Sequence, residues 1–113
     1  MITETEYEQR AAPELKDLLE ALDELDTDEL DAELESDILT LEFGDGTRYV
    51  INSHRAARQI WMAAERSAWH FDWVPERDQW VASKTGDELW RTLEAAITSK
   101  LGASITLKRP ASR

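Results

Sequence analysis

The spacing of hydrophobic positions changes twice along this chain, from helical to alternating and back, and each change marks a new element. Tyr7, Ala11, Leu15, Leu18, Leu22 and Leu25 recur at helical spacing, which predicts an amphipathic helix over about residues 4–25. Asp17, Glu20 and Glu24 fall at i, i+3 and i+7 on the opposite stripe, with Asp23 beside them. From Glu29 to Glu35 the period becomes two. Glu29, Asp31, Glu33 and Glu35 alternate with Leu30, Ala32 and Leu34, as in a strand with one buried face and one carboxylate face. The runs ILTLEF and TRYVIN are joined by Gly44-Asp45-Gly46 and read as a β-hairpin. Three further short strands follow at Gln59–Ala64, Trp69–Trp73 and Gln79–Ser83, with Pro75 and its charged neighbours turning between the last two.

Helical spacing returns in KTGDELWRTLEAAITSKLG. Leu89, Leu93, Ala96 and Ile97 make its stripe, Thr85 with Glu88 fits a capping box, and Gly102 stops it. Ser104–Lys108 is expected to add a short final strand, and residues from about 109 to 113 a frayed tail. Two helices of this length cover one face of a sheet and leave the other to water. The predicted fold is therefore α+β, a two-layer sandwich of two helices on an antiparallel sheet of five to seven strands, as one domain over residues 1–113.

Composition agrees with that fold and excludes several chemistries. A chain of 113 residues, 42% hydrophobic and with five tryptophans, suits a single globular domain. The absence of cysteine excludes disulfides, thiolate ligation of metals or clusters, and thiol catalysis. No apolar run approaches the ~20 residues of a membrane span, and the N-terminal MITETEYEQR lacks the basic and apolar regions of a signal peptide. A cytoplasmic protein without a membrane partner is expected.

The net charge of −11 disfavours nucleic acid as a partner and favours cations or a basic protein. Its placement is more informative. Residues 14–37 hold twelve acids and one lysine, a net −11, while the rest of the chain holds twelve acids and twelve basic residues, a net zero. Adaptation to high salt would spread the acids over the surface; here they are concentrated. Leucines fold this segment, first as helix and then as strand, and the acids form a ridge on its solvent side.

Catalytic motifs are scarce. The close glycines Gly44 and Gly46 sit in a hairpin turn, not a phosphate loop. His54 and His70 lack the spacing of a metal pair, and neither follows a glutamate by three residues as a di-iron helix requires. An EF-hand beginning at Asp26 would carry Asp31 and Asp37 where glycine and glutamate are needed. No elbow motif frames a serine. No residue is assigned a catalytic role. The carboxylate ridge suits hard cations, including Fe²⁺ and Fe³⁺, at low affinity and selectivity, and equally suits a partner rich in arginine and lysine. In QIWMAA, alternation sets Gln59, Trp61 and Ala63 opposite Ile60, Met62 and Ala64. Trp61 then stands on the open sheet face, either as an interaction anchor or packed on its cross-strand neighbours. Trp69, Trp73, Trp80 and Trp90 are expected in the core or at its edge.

Taken together, ILTLEF, GDGTRYVIN, QIWMA, WHFDW and SKTGDELW resemble the frataxin family, and the short cysteine-free form resembles its bacterial, CyaY-type branch. The resemblance runs from the acidic first helix to the second. One departure is Ser67-Ala68-Trp69, where bacterial relatives usually have small glycines and a tyrosine. The resemblance implies an iron-binding accessory protein of iron–sulfur cluster assembly that is not itself an enzyme. Carried over by position, weak Fe²⁺/Fe³⁺ ligands would be Glu20, Asp23, Glu24, Asp26, Asp28, Glu29, Asp31 and Glu33. The same acidic face, with Asp17, Asp23, Glu24 and Asp31, would dock on a cysteine desulfurase. Asn52, Gln59 and Trp61 would face the scaffold protein. A monomer is expected, with iron-dependent oligomerisation as a variant. The alternatives are a ferroxidase or iron store acting at the ridge, and an acidic nucleic-acid mimic that blocks a basic protein.

Overall fold

A computed structural model describes residues 2–25 and 27–110. The elements are α1 (Glu4–Asp23), β1 (Leu30–Glu35), β2 (Ile38–Phe43), β3 (Arg48–His54), β4 (Gln59–Ala64), β5 (Ser67–Val74), β6 (Gln79–Ala82) and α2 (Leu89–Leu101), with a 3-10 turn at Arg55–Ala57 between β3 and β4. The six strands form one antiparallel sheet in the order β1-β2-β3-β4-β5-β6, so each strand pairs with its sequence neighbours. Short connections dictate this meander, because links of two to four residues permit only antiparallel pairing of sequence neighbours. Ser36 and Asp37, at φ 50° and 66°, make the tight β1–β2 turn, and Gly46, at φ 90°, makes the β2–β3 turn expected from Asp45-Gly46.

Both helices pack on one face. α1 lies over β1 to β4 and α2 against β6. The apolar stripe of α1 is buried as expected at Tyr7, Ala11, Leu15, Leu18 and Leu22, against Leu39, Leu41, Ile51, Ile60, Met62 and Phe71 from the sheet. Trp80 and Trp90 are buried, while Trp69 and Trp73 are partly buried against the core. Thr3 caps α1 in a reciprocal capping box with Glu6. Among the described residues, no helix is long and apolar enough to cross a membrane.

Three local expectations are corrected. Thr85 does not cap α2; Glu88 does, its carboxylate accepting from the backbone N–H of Trp90 and Arg91 at 2.9 and 3.2 Å. Thr85 instead accepts from Asp87 N–H inside the preceding turn. Ser104–Lys108 is not a strand. Side chains of α2 hold this segment: Ile105 N–H donates to Thr98 Oγ1 and Leu107 N–H to Glu94 Oε2. The tail expected to fray from about residue 109 is tied down at its start, because Arg109 binds Glu14 through two hydrogen bonds, and residues 111–113 lie outside the described residues.

Candidate functional site

The acidic ridge runs along the β1 edge of the sandwich. Glu20 and Asp23 lie on the last turns of α1, Glu24 is its C-cap, and Asp28 and Glu29 follow in the loop; all five are exposed. Asp31 and Glu33 are exposed on β1, whose alternation buries Leu30, Ala32 and Leu34 partially towards the helices. No basic residue stands in the last turn of α1, so nothing on the helix offsets the negative dipole end beneath these acids. Asp26 lies outside the described residues. Asp17 is set apart from the ridge: it is half-buried and lines a groove with Arg10, Glu14, Trp73, Asp78 and Arg109, on the other flank of α1. Among the described residues, no three His, Asp or Glu side chains gather closely enough to hold one metal ion. The ridge is therefore a row of separate, solvated carboxylates.

β1 carries the ridge round onto the open sheet face. By register, Glu35, Ile38, Asn52, Trp61 and His70 stand side by side across β1 to β5. Ile38 is the large apolar side chain exposed on this face, at 45%. A groove of about 380 Å³ lies between the β1 acids and Ile38, Thr40, Glu42 and Arg48. The ridge and the Trp61 face thus form one continuous surface.

Trp61 faces solvent as the alternation predicts, since Ile60, Met62 and Ala64 are buried. It also packs on its cross-strand neighbours. Its indole is stacked between two imidazoles, His54 at 3.7 Å and 14° and His70 at 4.2 Å and 13°. His54 sits diagonally across β3 and His70 directly across β5. The indole Nε1–H donates to Gln59 Oε1 at 2.7 Å, and Gln59 Nε2 donates to Asp72 Oδ1 at 3.0 Å. His54 Nδ1 accepts from Ala57 N–H at 3.3 Å, which ties the stack to the β3–β4 turn. Spacing along the sequence conceals this triad, because its members come from three strands.

Two further charged clusters lie outside the sequence expectations. Glu14, 7% exposed, accepts from Trp90 Nε1 at 2.9 Å and from both guanidinium nitrogens of Arg109 at 3.0 and 2.9 Å, while Arg109 lies over the Trp90 ring at 4.6 Å. Burial opposes the Arg109 charge, yet the bonds to Glu14 raise its pKa overall. Lys100 bridges Asp45 at 2.7 Å and Glu65 at 3.3 Å. Its ammonium, helped by the backbone of Thr47, holds the Asp45 carboxyl well below the usual carboxylate range.

The Frataxin-like domain model matches residues 1–103. The iron–sulfur cluster assembly protein CyaY of Thioalkalivibrio sulfidiphilus is 37% identical over 94 residues, covering 82% of this chain and 88% of that protein. Among solved structures, the frataxin of Psychromonas ingrahamii superposes with a TM-score of 0.84 at 25% identity, over 96% of this chain and all of that one. The trimeric frataxin of Saccharomyces cerevisiae gives 0.70 at 31% identity, over 81% and 78% of the two chains. A six-stranded meander under two helices is accordingly the fold of a known family, and this chain belongs to the frataxins.

Proposed function

We propose that this protein is an accessory factor of iron–sulfur cluster assembly, in keeping with the name of its CyaY relative. In this reading its acidic ridge docks on a cysteine desulfurase of the cytoplasm, and its Trp61 face meets the scaffold protein. The observation that carries the reading is the continuity of the two surfaces: the β1 carboxylates and Trp61 lie on one face, three strands apart. A partner assembly can cover both at once. The family's members are accessory proteins and not catalysts.

Iron enters this proposal as cargo or signal. Glu20, Asp23, Glu24, Asp28, Glu29, Asp31 and Glu33 offer only carboxylate oxygens, without imidazole or thiolate, so the ridge suits Fe²⁺ and Fe³⁺ at low affinity. An ion bound there reduces the charge that draws in a basic partner, which links iron level to docking. The test is cluster reconstitution on the scaffold protein with desulfurase, cysteine and iron. Native protein is expected to change the initial rate, and the variant Asp23→Asn/Glu24→Gln/Asp28→Asn/Asp31→Asn to leave it unchanged. A variant as effective as the native chain would refute the role of the ridge.

A further inference from the structure

The turn between β3 and β4 carries backbone strain. Arg58 closes it at φ 54°, a left-handed conformation that a residue with a side chain keeps only when its surroundings hold it there. Inside the turn, Arg58 N–H donates to Arg55 O at 3.0 Å and Ala57 N–H to His54 Nδ1 at 3.3 Å. The residue that follows is Gln59, whose amide orients the Trp61 indole. His54 therefore has two tasks: one ring nitrogen caps the turn, and the ring itself covers a face of Trp61.

A proton acts differently on the two imidazoles of the stack. A neutral imidazole has one donor and one acceptor nitrogen, and a protonated one has two donors. His54 Nδ1 is an acceptor, so the ring in this position is neutral. A proton on Nδ1 sets N–H against the Ala57 N–H, and the ring has to leave both the cap and the indole. The His70 imidazole is exposed and, among the described residues, makes no hydrogen bond. Its protonation leaves the stack in place, as a cation on the indole face. That cation also disfavours a second positive charge on the opposite face of the same ring. The surrounding charged groups are engaged elsewhere or set apart. Arg55 pairs with Glu8 at 3.6 Å, Arg58 donates to Ile2 O at 3.1 Å, and Asp72 accepts from Gln59. Lys84 shares a groove with His70, Asp37 lines another with Ser53 and Arg55, and Glu35 is separated from Trp61 by Ile38 and Asn52. Among the described residues none of these groups bonds either imidazole, so the Ala57 N–H is the contact that a proton on His54 displaces.

We propose that His54 is a proton-operated latch on Trp61. Neutral, it caps the β3–β4 turn and clamps the indole against His70. Protonated, it releases both, so the Trp61 face is ordered at neutral pH and loosens as the pH falls through the histidine range, about 5 to 8. A partner that docks on the ordered face then binds with an apparent affinity reduced in proportion to the fraction of chains still latched. That consequence rests on the docking role of Trp61 proposed above; the latch itself is a property of the isolated chain.

The test is an NMR titration of the full chain, without any partner, from about pH 7.5 to about pH 5.5. The Ala57 amide resonance is expected to shift in one step together with the His54 imidazole. The order parameter of the Ala57 N–H is expected to fall over the same step, from the rigid level of about 0.85 to below about 0.6. His54→Asn keeps an acceptor for the turn but does not titrate, and is expected to abolish both changes. His70→Gln is expected to retain them. An Ala57 N–H that stays rigid across this range, or changes that persist in His54→Asn or vanish in His70→Gln, would overturn the latch. The spectra contain no assembly protein, so a failure of the docking role leaves this outcome untouched.

Discussion

Gln59 fixes the orientation of Trp61. The indole Nε1–H is a donor only and the Asp72 carboxylate an acceptor only, so the amide between them, bonded at 2.7 and 3.0 Å, can be placed in one way. Gln59→Ala removes the bridge and frees the indole to turn between His54 and His70. The expected cost in stability is about 1 kcal/mol, that of a partly exposed hydrogen bond or two. Affinity for the scaffold protein is expected to fall further than stability does. Equilibrium urea unfolding beside a binding titration separates the two effects.

The Glu14–Arg109 pair predicts that the C-terminal segment contributes to stability. Arg109→Ala leaves Glu14 buried and bonded to the Trp90 indole N–H, and the expected loss is about 2 kcal/mol, below the full penalty of a buried pair because Arg109 is half-exposed. Replacing both residues by leucine is expected to recover most of that loss, since the uncompensated charge is then gone. Urea midpoints of the single and double variants check both statements.

Asp45 predicts a specific acid sensitivity. Its folded pKa is lowered by the Lys100 hydrogen bond, so the carboxylate adds stability that is fully present above the unfolded value of about 3.9 and is lost as the pH falls below it. Asp45→Asn is expected to melt lower than the native protein at pH 7, with the gap closing only below about pH 4. Melting curves from neutral to strongly acidic pH test this; a gap that closes near pH 6 would point to another group.

Crowding on the ridge predicts the opposite sign for neutralisation. Four substitutions, Asp23→Asn, Glu24→Gln, Asp28→Asn and Asp31→Asn, are expected to add about 1 kcal/mol, or about 4–8 °C in Tm, by relieving like-charge neighbours. Salt or Mg²⁺ added to the native protein is expected to raise its Tm in the same direction. Calorimetric melting of both proteins with and without salt reads these shifts directly.

How much of this was legible in the sequence depended on where each signal lay. The α1 stripe and the β4 alternation were readable because their partners fall at fixed local spacing, and burial follows them residue by residue. The ridge was readable as a concentration of charge, although Asp17 shares its helical stripe yet turns towards Trp73 and Asp78 once α1 docks. The cap of α2 was misplaced by three residues. Thr85 and Glu88 satisfy the capping pattern, but the Val81–Glu88 bridge keeps Glu88 extended, so the helix begins after it. The His54–Trp61–His70 stack and the Glu14–Arg109 pair were illegible for one reason: they join residues from different elements, and Glu14 and Arg109 lie 95 positions apart. A carboxylate read as part of a solvated run proved to be an interior anchor.

The central claim is that function resides on the acidic ridge and within cluster assembly. Calorimetric titration of this protein into the cysteine desulfurase of the same organism, at low and high salt, tests it most directly. Tight binding is expected at low salt, weakening steeply as salt rises. Absence of binding at low salt, or binding indifferent to salt, would contradict it.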